Sequence, residues 1–205
     1  RIFRENGVTR TSLAEVAAAA GVTRGAVYWH FKDKAALFSA MCERATLPLD
    51  TMLDAARGKA TDDPLGALRL LMSGALLHLA RDRRTQAVFE IIFHKTEMSG
   101  ELGAVVNRRD RERCDCILVV ENLVEQAAAC GALPGDTDTK LTSQLINACM
   151  SGLMREWVTD PGAFDLATSA AKFVDSIVAG IVAQPPRVER APSRTAGKIQ
   201  ASTTA

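Results

Sequence analysis

Between Ala20 and Arg24 the chain has Gly21, Val22 and Thr23 in which to close one helix and open the next. Upstream, "TSLAEVAAAAG" carries Ser12 as a cap and Glu15 three places on, the reciprocal capping pattern that starts a helix. Leu13, Val16, Ala17 and Ala20 recur at helical spacing and form its apolar stripe. Gly21 adopts the left-handed closing conformation without a Cβ clash. Thr23 then caps "RGAVYWHF", which runs to Phe31. Two short helices around so tight a turn form a helix-turn-helix.

The second helix gathers Tyr28, Trp29 and His30 in a chain with one tyrosine, two tryptophans and three histidines. Three consecutive helical positions span about 300° of the wheel, so these rings cannot all face one core. Val27 and Phe31 lie four apart on the inward side, against Val16, Ala17 and Val22. Arg24, Gly25, Tyr28 and Trp29 then face outward, with His30 near the edge. This helix has the chemistry to enter a DNA major groove. Arg24 can bind phosphate or read guanine through two hydrogen bonds, and Ala26 can touch a thymine methyl. Tyr28 and His30 can donate to phosphates, and Trp29 can lie on a sugar or a methyl group. Gly25 lets the backbone approach the duplex. Thr11, Ser12 and Thr23 stand at helix starts, where backbone N–H groups favour phosphate, and Lys34 adds a cation.

Charge distribution agrees. Net charge is only +1, yet residues 1–34 hold six Lys/Arg against three Asp/Glu, while the remainder holds nineteen against twenty-one. The basic excess is local. The odd number of cysteines, five, contains no C-x-x-C pair, so neither a zinc site nor a disulfide framework is expected. Neither G-x-S-x-G, P-loop nor H-E-x-x-H occurs, and no metal, cofactor or catalytic role is expected. No membrane span or signal peptide stands out, and a cytoplasmic location is expected.

The remaining pattern predicts an all-α chain. "RIFRENG" reads as the end of a helix that began before Arg1, closed by a left-handed Gly7. A helix from Asp33 to about 57, bent at Pro48, is followed by one opening at Pro64 and another over 84–94. Longer helices are expected over 101–130, 138–158 and 165–184, and from 185 to 205 a Pro/Ser/Thr/Ala-rich disordered tail. The expected units are a DNA-binding domain over 1–45 and a bundle over 46–184.

"TSLAEVAAAAGVTRGAVYWHFKDKAALF", residues 11–38, resembles the DNA-binding signature of the TetR family of one-component bacterial repressors. That resemblance implies an all-α homodimer of about nine helices, with Tyr28, His30 and Lys34 as phosphate contacts and Phe31 as core. "GVTRGAVYWHFKDK", "EIIFHKTEMSGEL" and "SGLMREWVTDPGAFDL" resemble the AcrR-like branch, which represses multidrug efflux pumps. It implies a double-stranded operator, a lipophilic effector and a dimer built from the last two helices. Small residues there (Ala148, Ser151, Gly152, Ala170, Ala171, Ala179, Gly180) allow close approach, with Leu145, Leu153, Val174, Ile177, Val178 and Ile181 adding apolar contact.

An effector pocket is expected among Thr46, Leu71, Ala75, Phe89, Phe93, Val120, Asn147, Met150, Ser151 and Arg155. Gln144, Asn147, Ser151 and Arg155 form a polar stripe that is either solvent-facing or pocket-lining. Arg155 has Glu90, Glu97 or an anionic ligand as candidate partners. Phe89 and Phe93, four apart, are either plain core or the pocket's apolar wall. The arginines at 108, 109, 111 and 113, interleaved with acids, read as a solvated, ion-paired face. Two alternatives remain: a regulator of another pathway, and a helical interaction protein that does not bind DNA.

Overall fold

The computed structural model describes residues 1–59, 63–94 and 103–188; within them, the side chains at 46–50, 53, 56–59 and 103–115 are not described. The described residues form nine helices: α1 Ile2–Asn6, α2 Leu13–Ala20, α3 Arg24–His30, α4 Lys34–Lys59, α5 Pro64–Arg81, α6 Arg83–His94, α7 Gly103–Ala129, α8 Thr139–Thr159 and α9 Leu166–Ala183. The Arg108–Arg113 side chains and Thr46 fall outside the description, as does Glu97.

Local chemistry sets the boundaries. Asp33, Asp63, Asp138 and Asp165 each accept the backbone N–H three residues on, opening α4, α5, α8 and α9. Pro64 occupies the first turn of α5, where its missing N–H removes nothing. At Gly21 (φ 69°, ψ 25°) the amide of Val22 bonds the carbonyl of Ala17 and that of Gly21 bonds Ala18, the paired bonds of a Schellman closure. Gly7 departs from expectation. Its φ is 81° but its ψ is 155°, so α1 closes through the Gly7 N–H on Phe3 O without a left-handed turn.

Three apolar clusters result. Leu13, Ala17 and Val27 make a small one joining α2 to α3, with Phe31 and Leu37 at its edge. Val22 is 47% exposed and stays outside it, because the closing turn points its side chain away. Val16 packs instead on a second cluster, where Phe3, Val8, Phe38, Cys42 and Ala45 meet Val88, Ile91 and Ile92 of α6. The third is the main core of α5, α7, α8 and α9. Helix α4 runs unbroken past both residue 45 and Pro48, so no break in secondary structure marks the expected domain boundary.

Helix α9 is long and apolar enough to span a membrane by length and composition, despite Lys172 and Asp175. Its stripe of Leu166, Ala170, Val174, Val178 and Ile181 is buried in the main core, as a core helix requires. This corrects the expectation that Ala170, Val174, Val178 and Ile181 face a partner subunit. After α9 the expected tail begins with order. Pro185 is buried, Pro186 O accepts from Asp138 N, Val188 N donates to Asp136 O, and Arg187 pairs with Asp136.

At the α5–α6 junction the buried Thr85 hydroxyl donates to Asp82 Oδ2 at 2.6 Å and lies 3.0 Å from His78 Nε2. A hydroxyl has one proton, so His78 is the donor in the second bond. The Thr85 hydroxyl and amide hold the Asp82 carboxyl below its ordinary 3.8.

Two outcomes test these local assignments. Gly21→Ala should lose about 1 kcal/mol of stability in urea unfolding, because an L side chain is forced to positive φ. For Asp82 the folded group binds protons less readily than the unfolded one, so its contribution is present above the ordinary carboxylate range and lost on acidification. Thr85→Val should therefore flatten the rise in melting temperature with pH across that range; an unaltered slope would remove Thr85 as the cause.

Candidate nucleic-acid interface

Helix α3 buries one side chain. Val27 is 8% exposed, while Arg24, Gly25, Ala26, Tyr28, Trp29 and His30 are all exposed. The alanines of α2 explain how one residue suffices. Ala17 leaves a shallow notch in which Val27 seats against Leu13, so α3 lies close to α2. Thr23 fixes the helix start by accepting the Ala26 N–H at 3.2 Å. Phe31, with extended φ and ψ, ends it.

The outward side chains are ordered by one another. The Arg24 guanidinium lies 5.1 Å from the Tyr28 ring centroid, a cation–π contact that leaves its N–H groups available. Trp29 is 83% exposed and meets His30 edge-on, ring centroids 4.9 Å apart. So large an indole in water, held only by a neighbouring ring, has no packing role. Gly25 lies in ordinary helical conformation, and a Cβ built there would meet only Thr23 Oγ1, at 4.0 Å. Among the described residues nothing requires glycine at 25; a close-approaching partner would.

At the start of α2 the geometry corrects the sequence reading. Thr11 is buried, its hydroxyl donates to Gly7 O at 2.6 Å, and its amide donates to Val8 O. It is a brace for the turn, not a free donor. Ser12 is exposed but occupied: its amide and hydroxyl both donate to Glu15 Oε2 at 2.7 Å, and its oxygen accepts from Glu15 N. The Glu15 carboxyl, held below the ordinary range first by the Ser12 amide, already sits at this helix start. Lys34 is half-buried and donates to Thr9 O at 2.7 Å, which ties the start of α4 to the α1–α2 turn.

Arg10 and Lys32 were not singled out by motif. Both are exposed, one in the turn before α2 and the other directly after α3. They belong to the basic excess of residues 1–34, and their places beside the two helix ends were the available signal.

The expected effector residues divide. Leu71 and Val120 are buried in the main core, with Phe89 and Met150 packed against it. Phe93 belongs to the α1–α4–α6 cluster, but its ring centroid is 5.6 Å from that of Phe89, so the two rings bridge the clusters. Ala75 and Asn147 are half-buried; Ser151 and Arg155 are exposed, as is Gln144. The polar stripe of α8 thus faces mainly outward. Arg155 does not pair with Glu90. Its guanidinium stacks 5.0 Å from the Phe93 centroid, and Glu90 is taken by Arg4. Among the described residues no three His, Cys, Asp or Glu side chains gather as metal ligands.

Two family profiles match the chain. "Bacterial regulatory proteins, tetR family" covers residues 1–41, and "MAATS-type transcriptional repressor, C-terminal region" covers 63–182. The HTH-type transcriptional regulator AcrR of Shigella flexneri is 38% identical over 175 residues, 85% of this chain and 81% of that protein. Among solved structures, NalD, the secondary repressor of the MexAB-OprM multidrug efflux pump in Pseudomonas aeruginosa, superposes with a TM-score of 0.78. It is 31% identical and the match covers 87% of this chain and 89% of that one. A complex of triclosan with SmeT, repressor of the Stenotrophomonas maltophilia pump SmeDEF, gives 0.75 at 28% identity over 92% of both chains. With an all-helical fold and a helix-turn-helix whose outer face is bare, the chain belongs to the TetR family of transcriptional repressors.

Proposed function

We propose that the chain is a homodimeric repressor that controls a multidrug efflux operon and leaves its operator when a lipophilic drug binds. Residues 1–45 read DNA, and 46–184 dimerise and sense. One observation carries the DNA reading: every residue of α3 except Val27 is exposed, Gly25 included, with open space around it among the described residues. Arg24, Ala26 and Trp29 meet base edges and sugars; Tyr28, His30, Thr23, Lys34 and the missed Arg10 and Lys32 meet phosphates. Two copies of α3 enter successive major grooves about 34–36 Å apart.

Dimerisation is supported by α8. Leu141, Leu145, Ala148 and Gly152 recur four and three apart along one exposed side, and Gly180 of α9 is exposed too. Such a stripe of leucine and small residues suits a second copy of the same helices. The effector reading rests on Leu71 and Val120 in the main core, Phe89 and Met150 packed against it, Phe93 beside Phe89, and the Arg155 guanidinium on Phe93. An apolar site with a few polar groups fits lipophilic drugs. The likeness to AcrR, NalD and SmeT supports control of an efflux pump. Drug and operator prefer different dimer geometries, which makes their binding mutually antagonistic. A coupling of about 1–3 kcal/mol changes operator affinity roughly 5–150-fold. Such a repressor works in the cytoplasm.

Footprinting on DNA upstream of its own gene should show a palindromic protected site, and the affinity should fall steeply with salt. A flat salt dependence would argue against phosphate contacts. Gly25→Ala should leave the melting temperature equal or higher, since alanine exceeds glycine by up to about 1 kcal/mol in a helix, yet weaken operator binding at least tenfold. Trp29→Ala should lower operator affinity by about 1–3 kcal/mol with little change in melting temperature. Loss of fold in Trp29→Ala would make the ring a packing element. Phe93→Ala should shift the drug dose-response while leaving drug-free operator affinity within a few-fold.

A further inference from the structure

An ion pair joins α1, at the proposed DNA-reading end, to α6. Arg4 Nε of α1 lies 2.6 Å from Glu90 Oε2 of α6. Beneath it Phe3 shares an apolar cluster with Val88, Ile91 and Ile92, and its ring meets Phe38 edge-on at 6.1 Å. The stretch from α1 to α2 is braced at each step: Val8 is wholly buried, Thr9 O accepts from Lys34, and the Thr11 hydroxyl holds Gly7 O. Ser12 opens α2 directly after. A tilt of α1 is therefore passed on to α2 and α3 and is not absorbed in the turn.

On the sensor side, the residues three and four places beyond Glu90 grip α8. Phe93 carries the Arg155 guanidinium, and His94 Nε2 lies 3.0 Å from Thr159 Oγ1. Glu90 thus stands between the grip on α8 and the rigid path to α3.

We infer that Glu90 is a positioning residue for operator binding: through Arg4 it sets the angle of α1, and with it the reading helix, relative to α6. The inference rests on the proposal that α3 enters the groove. The pair is half open to solvent, with side chains 56% and 27% exposed, so its contribution to overall stability is small. Its contribution is directional.

The sign of one substitution separates positioning from simple charge. Removing a carboxylate from a protein that binds a polyanion strengthens binding if charge alone matters. A positioning role requires the opposite. Glu90→Gln should weaken binding to the footprinted operator roughly three- to tenfold, leave the melting temperature nearly unchanged, and speed amide hydrogen exchange across residues 13–30. The exchanged pair, Arg4→Glu with Glu90→Arg, should bind better than Arg4→Glu alone. Glu90→Gln binding as tightly as the parent or tighter, or an exchanged pair no better than Arg4→Glu, overturns the inference. If the parent binds no duplex, it is the operator reading that fails. The exchange rates then decide separately, since unchanged rates in Glu90→Gln reject positioning on their own. Should Glu90→Gln not fold, a folded exchanged pair with parental rates upholds the inference, and an unfolded one rejects it.

Discussion

The packing of Val27 with Leu13 and Ala17 is the contact on which the helix-turn-helix, and with it the proposed DNA-reading surface, depends. A seven-residue helix is too short to persist alone in water. It is held here by one buried side chain, a threonine cap and the glycine closure of the helix before it. This economy has a consequence for function. Because one residue anchors the helix, the other six remain for a partner, and they include the sole tyrosine and one of two tryptophans in the chain. A helix with a broader buried stripe would have less surface to offer a groove. The alanines of α2 belong to the same solution: a larger residue at 17 would lift Val27 and tilt the reading face.

So small a core cannot orient itself, and the structure attaches it at several points. Leu37 of α4 touches both the α2–α3 cluster and the α1–α4–α6 cluster, and Val16 of α2 reaches into the latter. Lys34 pins the start of α4 to the turn before α2. Helix α4 then continues without interruption into the sensor, where Met52 lies in contact range of Gly74 on α5. The proposed boundary between reading and sensing is therefore not marked by a linker. It is one helix shared by both, with α6 pressed against α1 beside it. Under the proposed function, motion in the sensor has two contact routes to α3, one along α4 and one through α6 and α1.

Much of this was legible in the sequence because local rules decided it. Ser12 with Glu15, Gly21, Thr23, Asp33 and Pro64 are each read by a backbone geometry that only nearby residues satisfy, and each stands where its chemistry places it. The outward turn of Tyr28 and Trp29 followed from helical periodicity alone. What failed was non-local. Thr11 was expected at a helix start whose backbone N–H groups face phosphate, yet its amide bonds Val8 O and the turn carries its hydroxyl inward onto Gly7 O. Val22 counted as core by its type, and the closure at Gly21 left it exposed. Glu90 stood as one of three candidate partners for Arg155, but a carboxylate chooses among cations by three-dimensional position, and Arg4 is 86 residues away in sequence.

Helix α8 shows why a stripe pattern cannot by itself assign a face. Its sequence carries a polar row, Gln144, Asn147, Ser151 and Arg155, and a row of leucine and small residues, Leu141, Leu145, Ala148 and Gly152. Both rows are largely exposed, so burial within one chain does not rank them. Helix α6 distinguishes the ends of α8 instead. It meets the C-terminal end, through Arg155 on Phe93 and Thr159 on His94, and ties that end to the same chain. The exposed row of leucine and small residues lies before those contacts, over 141–152. The buried stripe of α9 is likewise committed to α5, which removes Val174, Val178 and Ile181 from any outer surface. What α8 and α9 can offer another copy of the chain is then narrow, and made of leucine edges and small residues. That composition favours close, shape-determined helix packing, the kind of interface in which a small rotation is transmitted to the ends of both subunits.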